Sequence, residues 1–174
     1  MMSYTRCEML KLIQVTSEKQ IPLVRPLFSG YAHWFVENAS QEFGWSVEVD
    51  EVLQRFMTGI DIFFPPHGRL YLAEYAGEIA GVGCLKRLGD DLGEIKRMFV
   101  QPEFRGKGIG KRILDQLIAD ARSIGCPKIR LDSPKFSTIS HGLYQSRGFQ
   151  IIEPYPGSEV AMWAEYFIFM ELVL

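Results

Sequence analysis

Ile95-Lys96-Arg97-Met98-Phe99-Val100, then Arg105-Gly106-Lys107-Gly108-Ile109-Gly110, then Lys111 to Ile124, run on as an apolar strand-like stretch, a glycine-rich loop and a helix-patterned segment. That order predicts an anion cradle. Glycines at alternate positions let the backbone approach an anion closely, while the following helix turns its free N–H groups and positive dipole end into the loop. Arg105, Lys107, Lys111 and Arg112 add positive charge. A nucleoside-triphosphatase loop would need G-x-x-x-x-G-K-[ST], but Gly110-Lys111 is followed by Arg112. A dinucleotide fingerprint would need G-x-G-x-x-G near the first strand of a parallel unit, and this loop is G-x-G-x-G behind strands that read as antiparallel. Taken alone, the loop is equally a surface turn leading into a helix.

Outward from the loop, the chain alternates strand and helix patterns. Met9 to Val15 reads as a strand, and Ser17 with Gln20 has the spacing of a capping box. A helix to about Asn38 should follow, with Leu27, Phe28, Tyr31, Trp34 and Phe35 on one face and Pro26 marking a kink or the true start. Glu48 to Met57 reads as a second helix. Strands are predicted at Arg69 to Tyr75, Glu78 to Leu88 and Gly93 to Val100, with turns at Ala76-Gly77 and Gly89-Asp90-Asp91. Beyond the loop, Ile109, Ile113, Leu114, Leu117, Ile118, Ala121 and Ile124 form one helical stripe closed by Gly125. A strand at Lys128 to Asp132, a helix at Ser137 to Arg147, and strands at Phe149 to Ile152 and Phe167 to Leu174 complete the pattern. The fold class is α/β, of α+β type.

The 174 residues fit one domain, 1–174, and the net charge of -2 gives no electrostatic reason to expect nucleic acid. Cys7, Cys84 and Cys126 show neither disulfide nor zinc spacing, so no metal is expected. No signal-peptide pattern or membrane-length apolar run is present, and the expected location is the cytoplasm.

With strand, loop, helix and the later Leu143-Tyr144-Gln145-Ser146-Arg147-Gly148-Phe149 in order, the chain resembles the GNAT superfamily of acyl-CoA-dependent N-acetyltransferases. Arg105, Gly108 and Gly110 match its [Q/R]-x-x-G-x-[G/A] signature, and the ending Phe169-Met170-Glu171-Leu172 is common among small members. The resemblance implies a mixed, mostly antiparallel central sheet of about seven strands with helices on both faces. It also implies acetyl-CoA as cosubstrate. Gly106, Lys107, Gly108, Ile109, Gly110 and Lys111 would hold the pyrophosphate with Arg105, and the backbone of Met98, Phe99 and Val100 would pair with the pantetheine arm. Ser137 and Ser140 stand where the family often has asparagine and alanine, and a serine can hydrogen-bond that arm.

Two residues are carried over as catalytic. Tyr144 matches the tyrosine near the coenzyme's sulfur, where a phenol assists the leaving thiolate; without that context it reads as a packed core residue. Glu94, six residues before Val100, has the spacing of a glutamate base found in some members, and is equally a solvent-facing residue after a turn. Asp132 either faces substrate or caps the turn at Ser133-Pro134, and the cap is preferred. His33, His67 and His141 lack ligand spacing, and direct transfer is preferred over a thiol intermediate on Cys84 or Cys126. The resemblance builds an acceptor pocket from about Phe35 to Trp45 and Tyr155 to Trp163, where Glu37, Glu42, Glu153 and Glu159 suit a cationic amine.

The expectation is an N-acetyltransferase moving acetyl from acetyl-CoA to a primary amine of a small molecule by direct attack in a ternary complex. A non-catalytic acyl-CoA-sensing module and a protein or peptide acetyltransferase are the alternatives. No nucleic-acid or membrane partner is expected, and a homodimer is admitted by family analogy.

Overall fold

The computed structural model describes residues 9–89 and 91–174. A seven-stranded sheet runs in the order β1 (Leu10–Gln14), β2 (Arg69–Tyr75), β3 (Glu78–Leu88), β4 (Leu92–Val100), β5 (Lys128–Pro134), β7 (Phe167–Val173), β6 (Gln150–Ile152). Only β4 and β5 pair in parallel. Period-two alternation sends Leu70, Leu72, Val82 and Cys84 to one face and Tyr71, Ala73 and Leu85 to the other. Helices α1 (Ile21–Phe43) and α2 (Val49–Met57) cover the first face; α3 (Ile109–Ser123) and Tyr144 of α4 (Thr138–Gln145) pack on the second. Ile109, Ile113, Leu114, Leu117, Ile118 and Ala121 of the α3 stripe are all buried there.

Several boundaries differ from the sequence reading for identifiable reasons. α1 runs on past Asn38 to Phe43, and ends where Gly44 adopts a left-handed φ of 69° as its C-cap. Pro26 neither starts nor breaks it. Pro22 occupies the first turn, where no N–H is needed, and Pro26 lies inside the helix. The Ser17 cap does not form; Gln20 Oε1 instead accepts the Thr16 N–H at 2.9 Å. Ala76 and Gly77 both take positive φ, 52° and 89°, as a tight hairpin turn requires. The turn expected at Gly89-Asp90-Asp91 includes Asp90, which lies outside the described residues, as does Cys7.

Two irregularities in the sheet position the site. Val82 pairs with Phe99 and Cys84 with Lys96, so Gly83 opposes two residues, Arg97 and Met98, in a β-bulge. Arg97 there holds a φ of 55°, uncommon for a residue with a side chain. Opposite it, a Cβ on Gly83 would lie 2.4 Å from Ile113 Cγ2 and 3.2 Å from Met98 Cγ. Gly83→Ala is therefore expected to cost about 1–3 kcal/mol by forcing α3 off the sheet, read as a lower urea midpoint.

The second irregularity is a split. Parallel pairing of β4 with β5 covers only Gly93–Ile95 against Ile129–Leu131, so the strands part beyond Ile95 and Leu131. A cleft opens between them at the level of the glycine loop.

Candidate active site

The split is occupied by a cavity of about 500 Å³. Its walls include Met98, Phe99 and Val100 on one strand, Leu131, Asp132 and Ser133 on the other, and Ser137, Ser140 and Tyr144 at the edge of α4. At its far end lie Arg105, Gly106, Gly108, Ile109, Gly110 and Lys111. Gly106 and Gly108 take φ of 76° and 84°, and Gly108 caps α3 with no side-chain hydrogen bond to the first-turn N–H groups. Those N–H groups lack the usual partners and suit an anion. A Cβ on Gly108 would meet no protein atom within 4 Å, and one on Gly110 would meet only ordinary contacts from 3.5 Å. Packing therefore does not demand glycine at Gly110.

Of the residues expected to hold the coenzyme, the cavity gathers all but Lys107, whose Nζ lies 4.8 Å from the Phe104 ring centre and 5.1 Å from that of Tyr75. Arg105 sits differently from a free phosphate ligand. Its Nε donates to the Val100 carbonyl at 3.1 Å, and its guanidinium lies over Trp34 and Phe99. That carbonyl is among those expected to pair with the pantetheine arm.

A second cavity, about 350 Å³, lies beside the first. Tyr31, Phe35, Trp45, Val52, Phe56 and Trp163 supply an apolar and aromatic wall, with Glu51, Arg55, Lys96, Arg97, Asp132 and Glu159 as its charged members. Of the four glutamates suggested by sequence, only Glu159 lines it. Tyr31, Lys96, Arg97 and Asp132 belong to both walls, so the cavities meet there.

Beneath the junction lies a network of buried charges. Lys96 Nζ is 2.7 Å from Asp132 Oδ2 and 3.6 Å from Glu94; Lys86 Nζ is 3.1 Å from both Glu94 and Glu159. Burial alone would lower the Lys96 pKa, but Asp132, then Glu94 and Glu159, outweigh it and hold the amine above its usual value. Glu159 shows the converse: burial would raise it, and Lys96 and Lys86 keep it below the usual carboxylate range.

Glu94 does not face solvent. Its side chain is fully buried, takes the Tyr155 hydroxyl at 2.8 Å, and lines neither cavity. Nor does Asp132 cap the Ser133-Pro134 turn; it accepts from Lys96 and, at 3.0 Å, from Ser158 Oγ. Tyr144 is buried at the coenzyme-sized cavity, and burial, with Tyr31 and Asp132 adding, pushes its phenol well above the usual value. It keeps its proton at every physiological pH. His141 is held near neutral chemistry by burial, which lowers its pKa, with Nε2 3.1 Å from Ser133 Oγ. The sequence reading did not single out Arg55, Lys86, Lys96, Arg97 or Tyr155; two successive cations inside an apolar strand, Lys96-Arg97, were the available signal.

Two cavities thus meet at a polar junction, one of them ending on the glycine loop and the start of α3. The chain belongs to the acetyltransferase (GNAT) family, whose model matches residues 29–149. An IAA acetyltransferase of Azospirillum brasilense is 34% identical over 85 residues, 48% of this chain and 56% of that protein. An uncharacterized N-acetyltransferase of Bacillus subtilis, YsnE, is 31% identical over 99 residues, 56% of this chain and 66% of its own length. The chain thus spans little more than half to two thirds of those relatives. A PaiA N-acetyltransferase from Thermoplasma acidophilum, in complex with coenzyme A, superposes with a TM-score of 0.71 at 15% identity, covering 95% of this chain and 99% of that one.

Proposed function

We propose that the protein transfers an acetyl group from acetyl-CoA to the primary amine of a small molecule by direct attack in a ternary complex. The observation that carries this is the meeting of the two cavities at Tyr31, Lys96, Arg97 and Asp132. Coenzyme A in the structurally similar PaiA enzyme, and the acetyltransferase description of the Azospirillum relative, support acetyl-CoA as the donor. The unpartnered N–H groups at the start of α3 would bind its pyrophosphate, and the free edge of Met98 to Val100 would carry the arm. A backbone N–H on that edge would receive the developing oxyanion.

An amine with a pKa near 10 is mostly protonated at neutral pH and must lose a proton before it attacks. Asp132 is the carboxylate at the junction, so it takes that proton and passes it to solvent. Glu94 reaches the junction only through Lys96, which makes it a positioning residue: with Lys86 and Tyr155 it fixes the cation that orients Asp132. As the amine nitrogen bonds to the thioester carbon, the C–S bond breaks and Tyr144 donates a hydrogen bond to the sulfur; the acylated nitrogen releases its second proton to solvent, and the thiolate takes one from it.

The test is thiol release from acetyl-CoA against amino acids, simple amines, polyamines, aminoglycosides and peptides, with coenzyme binding followed by calorimetry. Release with small amines is expected. Binding without release for any acceptor would favour a sensing module, and release with peptides alone would favour a protein acetyltransferase.

A further inference from the structure

Among the described residues, Arg97 is a strongly buried cation of the site with no carboxylate within ion-pair distance. Its residue is 9% exposed, no carboxylate of the described residues lies within 4 Å of it, and its Nη1 has no hydrogen-bond partner. The ring faces of Phe28, Phe56 and Phe63, at 4.7 to 5.7 Å, and the Arg55 carbonyl at 3.4 Å from Nη2 are what it does touch. Aromatic faces compensate a guanidinium only in part, and an unpaired buried charge costs several kcal/mol of desolvation. A fold that holds this residue on a bulge with a φ of 55° maintains that cost for a purpose.

The position of the charge says which ligand it serves. Arg97 borders both cavities; of the groups its guanidinium touches, Arg55 and Phe56 line the acceptor cavity, Phe28 and Phe63 line neither, and none lines the coenzyme cavity. Arg55 adds a second guanidinium there, lying over Trp163 at 5.5 Å and likewise with no carboxylate within 4 Å among the described residues. At and behind the other wall, Asp132, Glu159 and the buried Glu94 form ion pairs within 4 Å with only Lys86 and Lys96 among the described residues, three carboxylates against two amines. The cavity is therefore polarised, cationic at Arg97 and Arg55 and anionic at Asp132 and Glu159, with an aromatic wall between.

We propose that Arg97, assisted by Arg55, is a carboxylate-binding subsite, and that the acceptor is a small amino carboxylate with an apolar body. Its carboxylate lies on the guanidinium, its ammonium at Asp132, and its apolar part among Tyr31, Phe35, Trp45 and Trp163. This rests on the acetyltransferase reading for the amine end, while the carboxylate end stands on Arg97 itself.

Paired acceptors that differ only by the carboxylate test it: L-phenylalanine with phenethylamine, L-leucine with isoamylamine, L-methionine with 3-(methylthio)propylamine. The wild type should favour the amino acid of at least one pair by tenfold or more in kcat/KM. Arg97→Met should lower kcat/KM for that amino acid about 10- to 100-fold more than for its amine partner, chiefly through KM. A wild type that prefers the amine in every pair, or a variant that slows both members alike, would overturn the subsite. Calorimetry with 3-phenylpropionate, a carboxylate without an amine, reads the subsite apart from catalysis. Binding that Arg97→Met abolishes supports it even where no amine is acetylated, an outcome that would sink the acetyltransferase reading alone; no binding of 3-phenylpropionate, 4-methylpentanoate or 4-(methylthio)butanoate overturns the subsite whatever the enzyme acetylates. If Arg97→Met does not fold, Arg55→Met, on the exposed end of α2, carries the test: binding about threefold weaker is expected, and unchanged binding is a refutation.

Discussion

Asp132→Asn should reduce kcat/KM about a thousandfold at neutral pH, the range expected when a positioned base is removed. With an amine pKa near 10, about one molecule in a thousand is unprotonated at pH 7, and only that fraction can react once the carboxylate is gone. The pH profile then identifies the loss. In the variant, the rate should climb about tenfold per pH unit towards the amine pKa, since solution now supplies the free base. The wild-type rate should vary far less over the same span, because Lys96, held above its usual value by Asp132, Glu94 and Glu159 once they outweigh its burial, stays cationic and keeps the network charged. Lys96 retains Glu94 at 3.6 Å in the variant, so the junction keeps a partner for its buried cation. Acetyl-CoA affinity measured by calorimetry should be unchanged. A variant with more than a tenth of wild-type activity at pH 7, or a profile parallel to the wild type's, would remove Asp132 from the base role.

The distance over which residues interact explains what could be read from the chain. The glycine loop and the helix start were legible because their parts are contiguous: glycines that permit positive φ, and a helix whose first N–H groups they leave uncovered. The seven-stranded mixed sheet with helices on both faces followed from periodicity and from the family likeness. Local pattern sets the end of α1 too early, at about Asn38, although Gly44 carries the C-cap signal. The charge network was not legible. It joins Lys86 to Glu159 and Lys96 to Asp132, 73 and 36 residues apart, and exists only because β4 and β5 lie side by side in parallel. Local pattern placed Glu94 in a strand without saying that Lys86, Lys96 and Tyr155 would enclose it, and placed Asp132 before a proline without showing that the split brings it to the junction. Arg97 depends on a bulge that forms where Gly83 admits α3 close to the sheet. No window of sequence contains both halves of that arrangement.

Tyr144→Phe should lower kcat about a hundredfold, as loss of one preorganised donor to a developing charge does, while the KM for acetyl-CoA changes little. The phenol is buried, and burial together with Tyr31 and Asp132 holds its proton far more tightly than a thiol near 8.5 holds its own. Complete proton transfer from Tyr144 to the leaving thiolate would thus run uphill. Its contribution is a hydrogen bond that strengthens as negative charge gathers on sulfur, and the proton that finally neutralises coenzyme A comes from solvent. Two consequences separate this role from packing. The ring of Phe still fills the space against Phe149, whose centroid lies 5.9 Å away, so the melting temperature should fall by no more than a few degrees. The deficit should also persist across pH 6 to 9, because a donor that never ionises in that range leaves no inflection for the variant to lose. A variant with wild-type kcat would assign Tyr144 to the core alone. A wild-type inflection that vanished with the hydroxyl would instead make it a proton-transferring acid.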